Sequence, residues 1–265
     1  MKSSFYGYTF KALQELFILN DLPSSGPALL FNWHYKKKRN DPCITDLAKK
    51  SIEFISAQMN FVLPKIHSVK ESEDKTVKFI FELSDSLKIE TVLIPFHKKY
   101  TICLSSQVGC AMNCSFCYTG TQGLSRHLKT EEIIGQFMQA QTWLSLNRAG
   151  NDRIANIVFM GQGEPLHNFD SVKSSCEIFL SQYGLSFGRD KITISSAGYL
   201  PGLKRWKSEM PDVNIALSFH SPFENKRNKL IPINKRYPLP EILNLVDTIP
   251  HGKNRFVTYE YLLIK

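Results

Sequence analysis

Along the first sixty residues, apolar positions recur at helical spacing. Phe10, Leu13, Leu16 and Phe17 fall on one face of a predicted helix. The segment LPSSGPALLFNWHY is punctuated by Pro, Ser and Gly, then opens an apolar run that predicts a second helix ending in Lys36, Lys37, Lys38 and Arg39. Residues 46–54 predict a third, short helix. Residues 1–60 therefore read as a small helical domain. The pattern then changes. VKFIFEL and IETVLIP are short, rich in β-branched and aromatic residues, and separated by SDSLK, which predicts paired strands or a hairpin. Residues 61–96 read as a β connection into the main domain.

From residue 97 onward, short apolar runs alternate with helical patterns. YTICLSS, ANIVFMG, KITISS, NIALSF and RFVTYEYLLI predict strands. Residues 131–146 predict a helix with Ile133, Phe137, Ala140 and Leu144 on one face, Thr130 as its cap, and Glu131 and Glu132 at its positive end. A further helix is predicted over 171–183. Alternating strand and helix argues for an α/β fold with a parallel sheet. Cys103, Gly161, Ser195, Ser218 and His220 fall at strand ends, where such folds gather their sites. The pass yields about five strand–helix units, and the chain stops just after a strand. A parallel strand left uncovered at an open edge is a liability, so residues 97–265 read as an unfinished barrel.

The 43% hydrophobic content suits a folded core rather than a disordered chain. There is no run of about 18 apolar residues and no apolar stretch ending in a cleavage site near the start, so a cytoplasmic location is expected. The net charge of +9 points most simply to a nucleic-acid partner, although mild basicity also occurs without one. Of six cysteines, Cys110, Cys114 and Cys117 cluster, which in a chain of this size indicates metal or redox chemistry rather than a disulfide framework. Cys43 and Cys176 are expected to pack.

GCAMNCSFCYTG places the three cysteines as CxxxCxxC in a loop directly after a predicted strand. Three thiolates can hold three irons of a cubane cluster and leave a fourth open. Zinc is the rival. A structural zinc site takes four ligands, commonly as two pairs, and no second CxxC follows. The spacing, with Phe116 before the last cysteine, resembles the radical S-adenosylmethionine (SAM) signature. CLSSQVGCAMNCSFCYTG, EEIIGQ, VFMGQGEPLHN, SFHSP and PINKRY together resemble one branch of it, the RlmN and Cfr family of ribosomal RNA adenosine methyltransferases, with RlmN the closer form.

That resemblance covers essentially the whole chain and implies a partial (β/α)6 radical SAM barrel. It implies a 4Fe–4S cluster on Cys110, Cys114 and Cys117, whose open iron chelates SAM. Gly163 and Glu164 would hold the SAM amino group, and Ser195, Ser218, Phe219 and His220 would contact SAM. Read alone, the glycines are a turn with one exposed Glu, Ser195 a turn former, and His220 an ordinary half-buried histidine. Cys103 would act late in catalysis, removing a proton and releasing product through a transient disulfide; read alone it is a small buried residue. Glu90 matches a proton acceptor; read alone it is a solvent-facing strand carboxylate. Trp33, His34, Tyr35 and the KKKR run resemble the family's accessory RNA-binding domain, with basic residues on phosphates and aromatics on bases.

The family methylates C2 of adenosine in 23S ribosomal RNA and in some transfer RNAs, by way of a methyl-carrying cysteine. The resemblance places that cysteine, and a SAM-contacting asparagine, after Lys265, with the last helix, strand and helix of the barrel. It also implies a flavodoxin-like electron donor and a monomer. Two other readings stand beside it: a non-catalytic RNA-binding remnant, and a radical SAM reaction without methyl transfer.

Overall fold

Eight strands hydrogen-bond side by side in the order in which the chain makes them. The computed structural model describes residues 2–39, 46–97, 99–148, 152–249 and 257–263. Cys43 and the first residues of the last predicted strand, Arg255 and Phe256, lie outside the described residues. The sheet begins with β1 (Lys65–Glu71), β2 (Val77–Glu82) and β3 (Lys88–Phe96), which are antiparallel. Next comes β4 (Lys99–Cys103), antiparallel to β3. Then β5 (Arg153–Phe159), β6 (Ile192–Ser196), β7 (Asn214–Ser218) and β8 (Val257–Glu260) continue parallel to it. The strands predicted within 61–96 thus enter the same sheet, and β1 precedes them. That strand escaped the sequence reading because KIHSVKE is exposed and polar along nearly its whole length and carries no apolar alternation.

The two faces of the sheet differ, and the difference places the site. On one face Leu93, Ile102, Ile157 and Ile192 lie in register across β3 to β6, all fully buried. On the other face, Val92, Cys103, Val158, Thr193 and Asn214 are aligned, and all are half-buried. Alternation at period two separates an apolar face, covered by helices, from a polar face.

Helix α1 (Phe10–Leu19) starts where Thr9 Oγ1 accepts the Ala12 N–H at 3.1 Å, and it buries Leu13 and Phe17. Helix α2 (Gly26–Phe31) runs on into a π turn over Asn32–Lys36, and α3 spans Lys49–Gln58, later than the predicted 46–54. Phe5 sits in ring contact with Tyr6, Phe31, His34, Tyr35 and Phe61. His34 and Tyr35, expected to meet RNA bases, are 0% and 1% exposed. Their rings are core, because the apolar run that starts α2 carries them inward on the same face. Trp33 alone of the three is half-buried, under Lys37 and Arg39 at 5.2 and 5.8 Å.

Helix α4 (Thr130–Asn147) buries residues all round at its start: Ile133, Ile134, Gly135, Phe137 and Met138. It is packed between the sheet and the Phe5–Gly7 turn, which accounts for the loss of a simple amphipathic stripe. Thr130 was the expected cap; it is instead the first helical residue. The cap is Lys129, whose N–H donates to the Glu132 carboxylate at 2.8 Å, while Arg126 holds both oxygens of that carboxylate. Helices α5 (Phe169–Leu180), α6 (Leu200–Glu209), α7 (Glu224–Leu230) and α8 (Leu239–Val246) complete the crossovers. Five parallel strands are joined by four helical crossovers. Among the described residues, no helix is long and apolar enough to cross a membrane.

Candidate active site

Three of the sequence motifs meet just past the carboxyl ends of β4 and β5. The Gln136 side chain, from EEIIGQ, is fully buried. Its amide donates to Ser105 O at 3.0 Å, and its carbonyl accepts from Ser105 N at 2.9 Å and Thr91 Oγ1 at 2.7 Å. Ser105 Oγ donates to Glu90 O at 2.6 Å and accepts from Gln162 N at 2.9 Å. Gln107 Oε1 accepts from Glu164 N at 2.8 Å, and Asn168 Nδ2 donates to Ser106 O and Leu128 O. CLSSQ is thereby stitched to GQGEPLHN through buried polar groups that satisfy one another.

Gly163 shows why a glycine stands there. Its φ is +102°, and a Cβ would lie 2.5 Å from Gln107 Cβ and 2.8 Å from Gln107 N. Gly163→Ala is expected to displace this loop at a cost of about 1–3 kcal/mol, read as a lowered urea midpoint.

The cysteines sit on an excursion beyond this stitching. Gln107–Gly109 pairs antiparallel with Leu124–His127, and the Cys110 N–H donates to Gly123 O at 2.9 Å, closing the loop. Inside it, Cys117 N donates to Cys114 O at 3.1 Å and Ser115 N to Leu230 O at 3.0 Å. Burial pushes the Cys110 thiol up to about 11 and the Cys114 thiol up to about 12, with Cys117 and Glu164 adding to the rise at both. Glu164 is 3% exposed. Its carboxylate accepts from Ala197 N at 2.8 Å and Leu166 N at 3.1 Å. Burial pushes its pKa up to about 7, against the pull of the Ala197, Ser196 and Leu166 donors.

The other expected residues lie around this centre. Ser195 and Ser218, on β6 and β7, both donate to the Glu260 carboxylate of β8, at 2.6 and 3.2 Å. Glu260 O accepts from Phe219 N and His220 N. His220 has φ +56°, strained for a non-glycine residue, and its ring meets Phe116 of the cysteine loop edge-on at 4.8 Å. Cys103 lies opposite Val92 in register, and Glu90 is one pleat away on the same face of β3. The Glu90 carboxylate pairs with Lys78 at 3.1 Å. Burial pushes the Cys103 thiol up to about 11, while a backbone bond from Met160 pulls it down.

Comparison with known proteins agrees with this arrangement. Residues 104–265 match the Radical SAM superfamily. A protein of Dictyoglomus thermophilum named "Probable dual-specificity RNA methyltransferase RlmN" is 41% identical over 92% of this chain and 69% of its own length. The chain belongs to the RlmN family of radical SAM RNA methyltransferases. The "Dual-specificity RNA methyltransferase RlmN" of Bdellovibrio bacteriovorus is 35% identical over 99% of this chain and 64% of its own. The chain thus spans about two thirds of the length of these RlmN relatives. The crystal structure of a radical SAM methyltransferase from Sphaerobacter thermophilus superposes with a TM-score of 0.86, at 31% identity, covering 98% of this chain and 76% of that one.

Two residues of this RlmN-family site carried no signal that the sequence reading used. Arg227 is fully buried. It donates to Ala197 O at 2.9 Å, Ser218 O at 3.0 Å, Phe219 O at 3.1 Å and the Asn234 carboxamide. It thereby ties the ends of β6 and β7 to the PINKRY segment. Burial lowers its pKa to about 10, which leaves it charged at neutral pH. Glu260 was legible as a lone carboxylate within the apolar run of YEYLLI. Arg227, in a charged segment reading as a solvated helix, was not.

Proposed function

We propose that this chain methylates C2 of an adenosine in 23S ribosomal RNA and in transfer RNA, using SAM and a 4Fe–4S cluster held by Cys110, Cys114 and Cys117. The observation that carries the reading is Glu164. This buried carboxylate lies close enough to Cys110 and Cys114 to act on both thiols, and it takes N–H and hydroxyl donors but forms no ion pair among the described residues. A cationic amino group, such as that of SAM, supplies the missing counter-charge. The thiols fit a cluster as well. Among the described residues, no three His, Cys, Asp or Glu side chains close round one point as the ligands of a single ion would. A cubane asks one thiolate of each of three irons, so its ligands need not converge. Thiols held protonated by burial ionise when a metal displaces their protons.

When bound, the cluster and SAM supply the radical chemistry and the methyl group. The chain's own residues position and exclude. Gly163 lets the loop backbone come close, and Glu164 orients the amino group. Ser195 and Ser218, braced by Glu260, present hydroxyls on the inner face, and Phe219 and His220 close its edge. We assign Glu90 and Cys103 to the proton that leaves C2. A thiol raised by burial becomes a base only with a partner to take its proton, and Glu90 shares its face. An unstacked adenosine would reach this face. A flavodoxin-like electron donor, a monomeric state and a cytoplasmic location belong to the same proposal.

The test is to reconstitute the protein anaerobically, together with the cysteine-bearing segment that the family resemblance places after Lys265, to incubate it with reductant, methyl-labelled SAM and protein-free ribosomal and transfer RNA, and to map the label. Label at C2 of adenosine is the expected result. Label at another atom overturns the C2 assignment, and SAM consumption without labelled RNA favours a radical SAM reaction other than RNA methylation. Glu164→Gln keeps the shape and removes the charge. It is expected to weaken SAM binding roughly 10–100-fold, the value of a hydrogen bond to a charged group, with iron content unchanged.

A further inference from the structure

At the opposite end of the sheet from the cysteine loop lies a cavity of about 430 Å³. The amino ends of β4, β5 and β6 border it through Lys99, Arg153 and Lys191, and the end of the α2 π turn borders it through Lys36 and Lys38. Five cations from four separate chain segments thus surround one opening. Asp190 pairs with Lys191 at 2.7 Å, whereas Lys36, Lys38, Lys99 and Arg153 form no ion pair among the described residues. A solvated helix end accounts for Lys36 and Lys38, since cations favour helix carboxyl termini. It does not account for the cations that open β4 and β5 and immediately precede β6.

The interior of the cavity is apolar and aromatic, with Phe137, Met138 and Phe187 on its wall. Of its other polar side chains, Ser186 Oγ donates to Ser181 O at 3.3 Å and Gln182 O at 3.1 Å, and Tyr35 Oη and Gln141 Nε2 are buried without a hydrogen-bond partner among the described residues. Tyr35 is 1% and Gln141 5% exposed. Both atoms are closed off from solvent, so what the cavity offers a ligand is its rim of cations and its aromatic wall. The volume falls within the roughly 300–1,000 Å³ usual for small-ligand sites.

We propose that this cavity binds a nucleotide unit, its phosphate among the rim cations and its base against the aromatic wall, at a site separate from that of Cys110, Cys114, Cys117 and Glu164. A rim of cations, four of them in no ion pair among the described residues, selects phosphate, and an aromatic wall selects a flat base. The nucleotide comes either free from solution or as one residue of an RNA chain. The proposal stands on the cavity alone; only its RNA form rests on the proposed function, as a second anchor for the same substrate.

The test is equilibrium binding of AMP, and separately of a single-stranded RNA oligonucleotide, to the purified chain. Binding is compared with the Lys99→Ala/Arg153→Ala pair and with Phe187→Leu, which removes an aromatic ring from the wall, and reductive SAM cleavage by each reconstituted variant is measured in parallel. A free-nucleotide site gives saturable AMP binding that excess SAM does not displace and that each variant weakens tenfold or more. An RNA site shows no AMP binding, but oligonucleotide binding that the double variant weakens, with the salt slope reduced by about two phosphate contacts. SAM cleavage stays unchanged in either case. AMP and RNA binding equal in wild type and variants overturns the proposal without touching the cysteine site. Loss of SAM cleavage with nucleotide binding intact strikes the proposed function instead. Should the double variant unfold, Lys38→Glu, an exposed charge reversal, gives the same reading.

Discussion

Replacing any one of Cys110, Cys114 or Cys117 by alanine is expected to take the anaerobically reconstituted chain from about four irons to near none. Reductive SAM cleavage is expected to fall below detection with it. Two thiolates leave two irons of a cubane without protein ligands, and the loop offers no replacement: His127, the nearest histidine in sequence, is engaged with Gln107 at 2.9 Å. The apo fold should hardly notice. The loop is closed by backbone bonds, Cys110 N to Gly123 O and Ser115 N to Leu230 O, which no cysteine side chain supplies. A small thiol, buried at Cys110 and half-buried at Cys114 and Cys117, contributes about 1 kcal/mol of packing. Iron and sulfide analysis, read beside the urea midpoint of the apo protein, separates the two effects. A large fall in the midpoint would make the cysteines structural.

Arg227→Met is expected to do the reverse, lowering stability by about 3–5 kcal/mol. Its guanidinium satisfies Ala197 O, Ser218 O, Phe219 O and the Asn234 carboxamide. Methionine fills the space and leaves Ala197 O and the Asn234 carboxamide oxygen buried without the donor they had, whereas Phe219 O keeps the Ser221 N–H at 2.7 Å. Removing a buried charge recovers some desolvation energy, but Ala197 and Asn234 are 8% and 1% exposed and leave their acceptors little water to turn to. Arg227→Lys should rescue little, because one ammonium cannot span four acceptors arranged for a planar fork. In mild urea the variant is expected to lose SAM affinity before it unfolds, since Ser218 and Phe219 are held by the residue that is missing. Urea unfolding followed by far-ultraviolet circular dichroism gives the stability, and isothermal titration with SAM gives the affinity.

The three cysteines and Arg227 show how unevenly the site was legible. The cysteine loop stood out because three ligands of one chemical type at fixed spacing have few other reasons to occur. The parallel strands were legible because period-two alternation and turn residues are local. Arg227 was not, because its four acceptors come from segments up to thirty residues away and burial cannot be read from a charged helix. His34 and Tyr35 misled for the same reason: aromatics beside a basic run look available until packing turns them into core. Strand β1 has almost no apolar signal, and its backbone pairs with β2 at the edge of the sheet. Gln136 and Gln107 are ordinary polar residues in sequence, and become fixed points only when three distant motifs are folded together.

The most direct test of the central claim is SAM cleavage itself. The reconstituted chain, under reductant and without RNA, is predicted to convert SAM to methionine and deoxyadenosine, dependent on each of the three cysteines and much slower in Glu164→Gln at low SAM concentration. A chain carrying its full complement of iron and sulfide that leaves SAM intact would contradict the account.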